Sequence, residues 1–325
     1  MKNLFLVAAG LGAATLAGSA QQVIKVDAAI PAYAKANNVS GNITSIGSDT
    51  MNNLMTLWAE SFRKLYPTVR VQVEGKGSST APPALIAGTA QFGPMSRQMR
   101  STEIDQFQQK YGHKPTEIRT SFDALAVYVH RDNPIKQLSL AQVEAIFGKS
   151  RRRGFRQNVT TWGQLGLTGD WANRPIQLYG RNSASGTYGY FKEHVLQNGD
   201  FKDTVKEQPG SASVVQGVTE DRFAIGYSGS GYRTSGVRAV PLANTEAGPF
   251  FEGTYEQVTS GKYPISRFLY LYVNQTPGKP MAPLTLEFVK LILSKEGQEV
   301  VIKDGYMPLT AALVLEERKK LVGAQ

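Results

Sequence analysis

The chain predicts an α/β protein of two lobes, and three observations carry that expectation. Short apolar runs alternate with helix-like runs from residue 41 onward. Turns rich in Ser, Thr and Gly lead from strands into helices. Two long strand-like runs, near 120–130 and 265–274, stand where a chain would pass between lobes. Alternation of this kind builds sheets whose ligands gather at the strand ends. It puts a first lobe in residues 41–122 plus 271–325, a second in 123–270, and a ligand cleft between them.

Taken in order, Lys2, an apolar core from Leu4 to Leu16 and Gly18-Ser19-Ala20 read as a signal peptide over residues 1–20. Its apolar run is too short to span a bilayer stably. No cysteine follows the cleavage point to carry a lipid anchor, so the mature chain is expected to be exported and soluble. Residues 21–40 are Ala-rich with weak periodicity and read as a flexible lead-in.

Ile43–Ile46 reads as a short strand, and Gly47-Ser48-Asp49-Thr50 as a turn into a helix. Leu54, Leu57, Trp58, Phe62 and Leu65 give that helix one apolar face, and Pro67 follows its end. Val69–Val73 alternates as a strand does. Gly75-Lys76-Gly77-Ser78-Ser79-Thr80 is a second polar turn, with a short helix over Pro82–Ala87. Gln91–Arg97 makes a third loop. Ile118–His130 reads as one long strand, and Ser139-Leu140-Ala141-Gln142 has the spacing of a capping box. Later segments read as helix over Ser213–Glu220, strand over Phe223–Tyr227 and long strand over Ile265–Asn274. Helices close the chain at Leu284–Leu293, Lys295–Lys303 and about Leu309–Val322.

The most informative stretch runs from Tyr179 to Phe191. A buried strand (Pro175–Leu178) feeds a helix (Thr187–Gln197) through Arg181, Ser185, Gly186 and Thr187. Such a turn aims free N–H groups and the positive end of a helix dipole at an anion. The hydroxyls add donors, Gly186 admits a close approach, and Arg181 offers a permanently charged fork. The plainer reading is that Ser185 simply caps the helix. Three such turns in one chain favour a tetrahedral oxyanion, which accepts many hydrogen bonds.

Composition narrows the alternatives. The 325 residues carry a net charge of +10, yet the basic residues are scattered except at Arg151-Arg152-Arg153. Scatter and export argue against nucleic acid and for a general attraction to small anions. The absence of cysteine removes thiolate metal sites and Cys nucleophiles. The three histidines, His113, His130 and His194, have no metal-ligand spacing. Gly148-Lys149-Ser150 matches the end of a phosphate-cradling loop, but Val143 stands at its first glycine. Gly226-Tyr227-Ser228-Gly229-Ser230 lacks the last glycine of a nucleophile elbow. No catalytic residue, metal or cofactor is expected.

Four segments together resemble the periplasmic phosphate-binding proteins that serve bacterial phosphate ABC transporters: Gly47–Met51, Gly75–Ser79, Phe92–Arg97 and Arg181–Thr187. Trp162 and Gly305-Tyr306-Met307-Pro308-Leu309 add to the likeness, which covers about Gly41 to Leu321. The resemblance implies a two-lobed type II periplasmic-binding-protein fold joined by two crossover strands. It implies a non-catalytic, monomeric periplasmic receptor that closes on inorganic phosphate and delivers it to the membrane permease of an ABC importer. The ligand contacts it implies are Thr50, Met51, Ser78, Ser96, Arg181, Ser185, Gly186 and Thr187.

Two departures stand out. Ser96 replaces the aspartate that accepts the proton still carried by phosphate, and Ser183 replaces the aspartate that partners the arginine. An anionic acceptor repels fully ionised sulfate, so its loss leaves the choice of oxyanion open. Asp49 is either a substitute proton acceptor or a helix cap. The competing functions are a receptor for sulfate or another tetrahedral oxyanion, and a secreted phosphatase-like enzyme on the same scaffold.

Overall fold

The computed structural model describes residues 24–322. The predicted signal peptide, residues 1–20, lies outside the described residues.

The first lobe is laid down by β1 (Asn42–Ile46), α1 (Asn52–Leu65), β2 (Arg70–Glu74), α2 (Ala81–Ala87), β3 (Phe92–Met95), α3 (Ser101–Tyr111) and β4 (Thr116–Ala124). After Leu125 the chain enters the second lobe with β5 (Ala126–His130), β6 (Leu138–Ser139), α4 (Leu140–Phe147), β7 (Gln177–Arg181) and α5 (Gly186–His194). There follow β8 (Lys206–Gln208), α6 (Ser211–Glu220), β9 (Ala224–Ser228), β10 (Val237–Ala239), β11 (Leu242–Ala243) and α7 (Tyr255–Thr259). Then β12 (Ser266–Val273) returns, and α8 (Pro283–Ile292), α9 (Lys295–Lys303) and α10 (Ala311–Lys319) cover the first lobe.

Each lobe is built on a five-stranded sheet, ordered β2-β1-β3-β12-β4 and β10-β5-β9-β7-β8. In the first, β1 runs parallel to β2 and β3, while β12 runs antiparallel to β3 and β4. In the second, β7 is parallel to β8 and β9, and β5 is antiparallel to β9. Parallel strands carry helices over their faces, and their carboxyl ends point toward the partner lobe, which is where α1 and α5 begin.

The long run Ile118–His130 is two strands, not one: it leaves the first sheet at Ala124 and joins the second at Ala126. All of β12 pairs with the first sheet, from Ser266 opposite Ala124 to Val273 opposite Thr116. The return crossing therefore precedes Ser266, a few residues before the boundary drawn at 270/271.

The flexible lead-in is corrected over residues 24–40, which strap onto the first lobe. Ile30 and Val39 are buried. The Tyr33 hydroxyl lies 2.7 Å from that of Tyr66 and donates to Glu287 Oε2 at 2.6 Å. Lys295 N donates to Pro31 O at 3.0 Å, and Ala311 N to Asp27 Oδ2 at 3.1 Å. Its few anchors are too widely spaced to make a period, so the sequence pattern does not reveal them.

Packing sets the helices that face the cleft. Trp58 on α1 is fully buried and donates to Gly297 O at 2.8 Å, fastening α1 to α9. Phe191 on α5 stacks on Tyr227 of β9 with centroids 3.9 Å apart, seating α5 over the second sheet. The Arg151–Arg153 run clasps the far end of α5. Arg152 Nη1 donates to Gln197 O at 2.7 Å and Arg153 Nε to Val195 O at 2.8 Å. Cations there complement the negative end of the helix dipole.

Candidate functional site

The cleft is shut across the ends of α1, α2 and α5. Thr50 Oγ1, just before α1, lies 2.9 Å from Thr187 Oγ1 in the first turn of α5. Met51 is the N-cap residue of α1 and is fully buried. Ser78 Oγ accepts from Ser96 N at 3.0 Å and lies 3.3 Å from Ser96 Oγ. Gly186 is the first residue of α5, and a Cβ there would stand 2.3 Å from Ser78 Oγ and 2.6 Å from Ser96 Oγ. Thr50, Met51, Ser78 and Ser96 of the first lobe thus meet Ser185, Gly186 and Thr187 of the second, and all seven are buried.

Ser185 does cap α5: its Oγ accepts from Thr187 N at 3.1 Å and Tyr188 N at 3.4 Å. Capping leaves its own O–H proton to donate elsewhere, so the cap and the ligand contact are compatible.

Arg181 ends β7 with its side chain 1% exposed. Its Nη1 donates to Ser211 Oγ at 2.7 Å and its Nη2 to Pro209 O at 3.2 Å, while Nε has no hydrogen-bond partner among the described residues. Burial pushes this guanidinium below the usual arginine range, and Asp49 beside it opposes the shift. It stays charged at any physiological pH.

The Asp49 carboxylate is engaged by the second lobe. Its Oδ2 lies 3.1 Å from Arg181 Nη2 and accepts from Ser211 N at 2.8 Å and Ser211 Oγ at 2.9 Å. The cap reading is right in kind but points to another helix: Asp49 caps α6 of the opposite lobe, whose N-cap Gly210 has no side chain to do so. Asp49 also supplies the arginine partner that Ser183 cannot. The ion pair of the site therefore runs between lobes.

Two residues were missed. Arg267 on β12 and Asp123 on β4 form a buried pair, with Nε and Nη2 donating to Asp123 Oδ2 at 2.9 and 2.7 Å. The same guanidinium donates to Ser96 O at 2.8 Å and Thr187 Oγ1 at 2.9 Å. The available signal was a charged residue inside each crossover strand, Asp123 in TEIRTSFDA and Arg267 in SRFLYLYV. Tyrosines brace the same region: Tyr306 Oη donates to Thr50 O and Tyr232 Oη to Asp49 O, each at 2.8 Å.

Chemically, the arrangement is a convergence of helix N-termini, hydroxyls and two buried guanidiniums, each paired with a carboxylate. Ser78, Ser96, Ser185 and Thr187 bond to N–H groups and to other hydroxyls. Such a set recognises an oxyanion by donation. Among the described residues no cluster of His, Asp or Glu could hold a metal ion, and no helix is long and apolar enough to cross a membrane.

Residues 32–296 match a family described as a PBP superfamily domain. Over 321 residues the chain is 56% identical to the phosphate-binding protein PstS of Pseudomonas aeruginosa, covering 99% of this chain and 98% of that one. It is 27% identical to protein SphX of Synechococcus elongatus over 273 residues, 83% of this chain and 78% of that one. A solved structure from Clostridium perfringens, described as a phosphate ABC transporter substrate-binding protein with bound phosphate, is similar with a TM-score of 0.69 at 25% identity, covering 83% of this chain and 100% of the other. An ABC-type phosphate transport receptor from Vibrio cholerae shares the fold, with a TM-score of 0.63 at 22% identity over 82% of this chain and 100% of the other.

Proposed function

The chain belongs to the PBP superfamily and to its phosphate-binding proteins, and on that premise we propose that Thr50, Met51, Ser78, Ser96, Arg181, Ser185, Gly186 and Thr187 enclose one inorganic phosphate. The protein is a solute receptor that captures phosphate between its lobes for an ABC importer. Binding without turnover is what the site supports, since its hydroxyls face N–H donors rather than a general base. Export to the periplasm, action as a monomer and docking on a membrane permease complete this reading.

One observation carries it. Arg181 is a permanent charge, 1% exposed, held at the start of α6 by Asp49 of the other lobe. Its other two nitrogens are spent on Asp49, Ser211 and Pro209, while Nε keeps an N–H without a partner among the described residues, the donor left for an oxyanion. The remaining choice among oxyanions rests on Ser96, a hydroxyl that donates or accepts, where an aspartate would only accept.

Thermal unfolding of the phosphate-stripped protein with phosphate, arsenate, sulfate and molybdate tests the reading. Phosphate and arsenate are expected to raise Tm while sulfate leaves it unchanged. Replacing Arg181 by Ala is expected to cost roughly 2–5 kcal/mol of binding, as for truncating a desolvated charge pair. Stabilisation by sulfate alone would reassign the receptor, and no shift with any oxyanion would remove the binding function.

A further inference from the structure

The phosphate reading leaves one buried group without a task. Arg267 stands at the start of the returning strand, and its side chain and that of Asp123 are 1% and 0% exposed. Its guanidinium touches the crossover strand through Asp123, the first lobe through Ser96 O and the second lobe through Thr187 Oγ1. Asp123 Oδ1 accepts in turn from Ser230 N of the second lobe at 2.9 Å. The charge of Arg267 is balanced by Asp123, so what it offers the cleft is direction.

A hydroxyl has one proton and two lone pairs. The Arg267 N–H at 2.9 Å occupies one lone pair of Thr187 Oγ1, and Thr50 Oγ1 lies 2.9 Å away. If Thr187 donates to Thr50, the Thr50 proton points onward. If Thr50 donates to Thr187, both Thr187 lone pairs are filled and the Thr187 proton points onward. Either way the pair delivers an O–H to a third group. Backbone N–H groups do the same for the other hydroxyls: Ser185 Oγ accepts two of them, and Ser78 Oγ accepts Ser96 N. Among the described residues Ser96 Oγ meets only the Ser78 hydroxyl, so it keeps the capacity to accept.

We propose that Arg267 is a positioning residue for ligand recognition: it polarises the Thr50–Thr187 pair into a hydroxyl donor and leaves Ser96 to accept the one proton of dianionic phosphate. The proposal rests on the phosphate reading and deepens it. A planar fork can hold three partners at fixed angles, whereas a lysine ammonium at the same place cannot. With the fork gone, Thr187 is free to accept as well as donate. The preference for dianionic over monoanionic phosphate then weakens.

The test is a double-mutant cycle of Arg267→Lys and Thr187→Val. Phosphate affinity is measured by calorimetry from about pH 5 to about pH 8, a range in which phosphate groups shed their second proton. In the parent, affinity is expected to rise with pH. Arg267→Lys is expected to weaken binding about tenfold at the upper end and to flatten the profile. Combined with Thr187→Val it is expected to change affinity less than about twofold, since interacting residues are non-additive.

Equal losses in both backgrounds, or an unchanged pH profile, would overturn the proposal while leaving the receptor intact. Failure of the parent to bind phosphate would overturn the receptor reading and this one with it. Should Arg267→Lys not fold by circular dichroism, the neutral pair Asp123→Asn with Arg267→Gln carries the same cycle and the same expected outcomes.

Discussion

Asp304 sits at the end of α9 with one oxygen accepting from Asn53 Nδ2 and the other unpaired among the described residues. Burial raises its pKa from 3.8 to about 6, with the Asn53 bond opposing. An acid with a raised folded pKa favours the folded state while it is protonated in both states. That contribution is lost as pH rises from 3.8 through about 6. Asp304→Asn is therefore expected to raise Tm by about 2–4 °C near about pH 7 and to leave it unchanged near about pH 4. The same offset at both pH values would contradict this. At this scale the sequence disclosed the hydroxyls and Arg181, because Ser, Thr and Gly before a helix announce their chemistry. It did not disclose that Asp49 serves Arg181 or that Arg267 and Asp123 meet. Those contacts join residues 132 and 144 positions apart, and no local pattern encodes a pairing at that range.

Helices are the working elements of the cleft. α1 and α5 meet end to end, and α6 is capped across the gap by Asp49. Closure thus satisfies a helix terminus that an open cleft would leave to water. Gly186 shows how close the approach is. An added Cβ would stand 2.3 Å from Ser78 Oγ, a contact made only when the lobes shut. Gly186→Ala is expected to leave the ligand-free Tm within about 1 °C and to weaken phosphate binding by about 1–3 kcal/mol, the usual cost of overpacking. Calorimetry paired with thermal unfolding separates the two. Equal affinity would mean the lobes do not approach as closely as they do here. Helix positions were legible from apolar spacing and capping residues, as in Ser139 and Gln142, whose reciprocal bonds form at 3.2 and 2.8 Å. The strap of residues 24–40 was not, since it has neither period nor regular hydrogen bonding.

At the scale of the molecule, two sheets joined through β4–β5 and β12 form a clamp, and the hinge itself carries the Asp123–Arg267 pair. A formal net charge of +10 draws anions toward the cleft from a distance, while the buried donors select among them at contact. Alternating strands and helices made the class of fold readable. The break at Leu125 was hidden, because a strand that changes sheets looks the same in sequence as one that continues. Closure of these lobes around a single phosphate is what the proposed function requires. Calorimetric titration of the phosphate-stripped protein measures it directly. Saturation is expected at one phosphate per chain, with binding abolished or greatly weakened in Arg181→Ala. Saturation by sulfate without any by phosphate, or phosphate binding unaltered by Arg181→Ala, would contradict it.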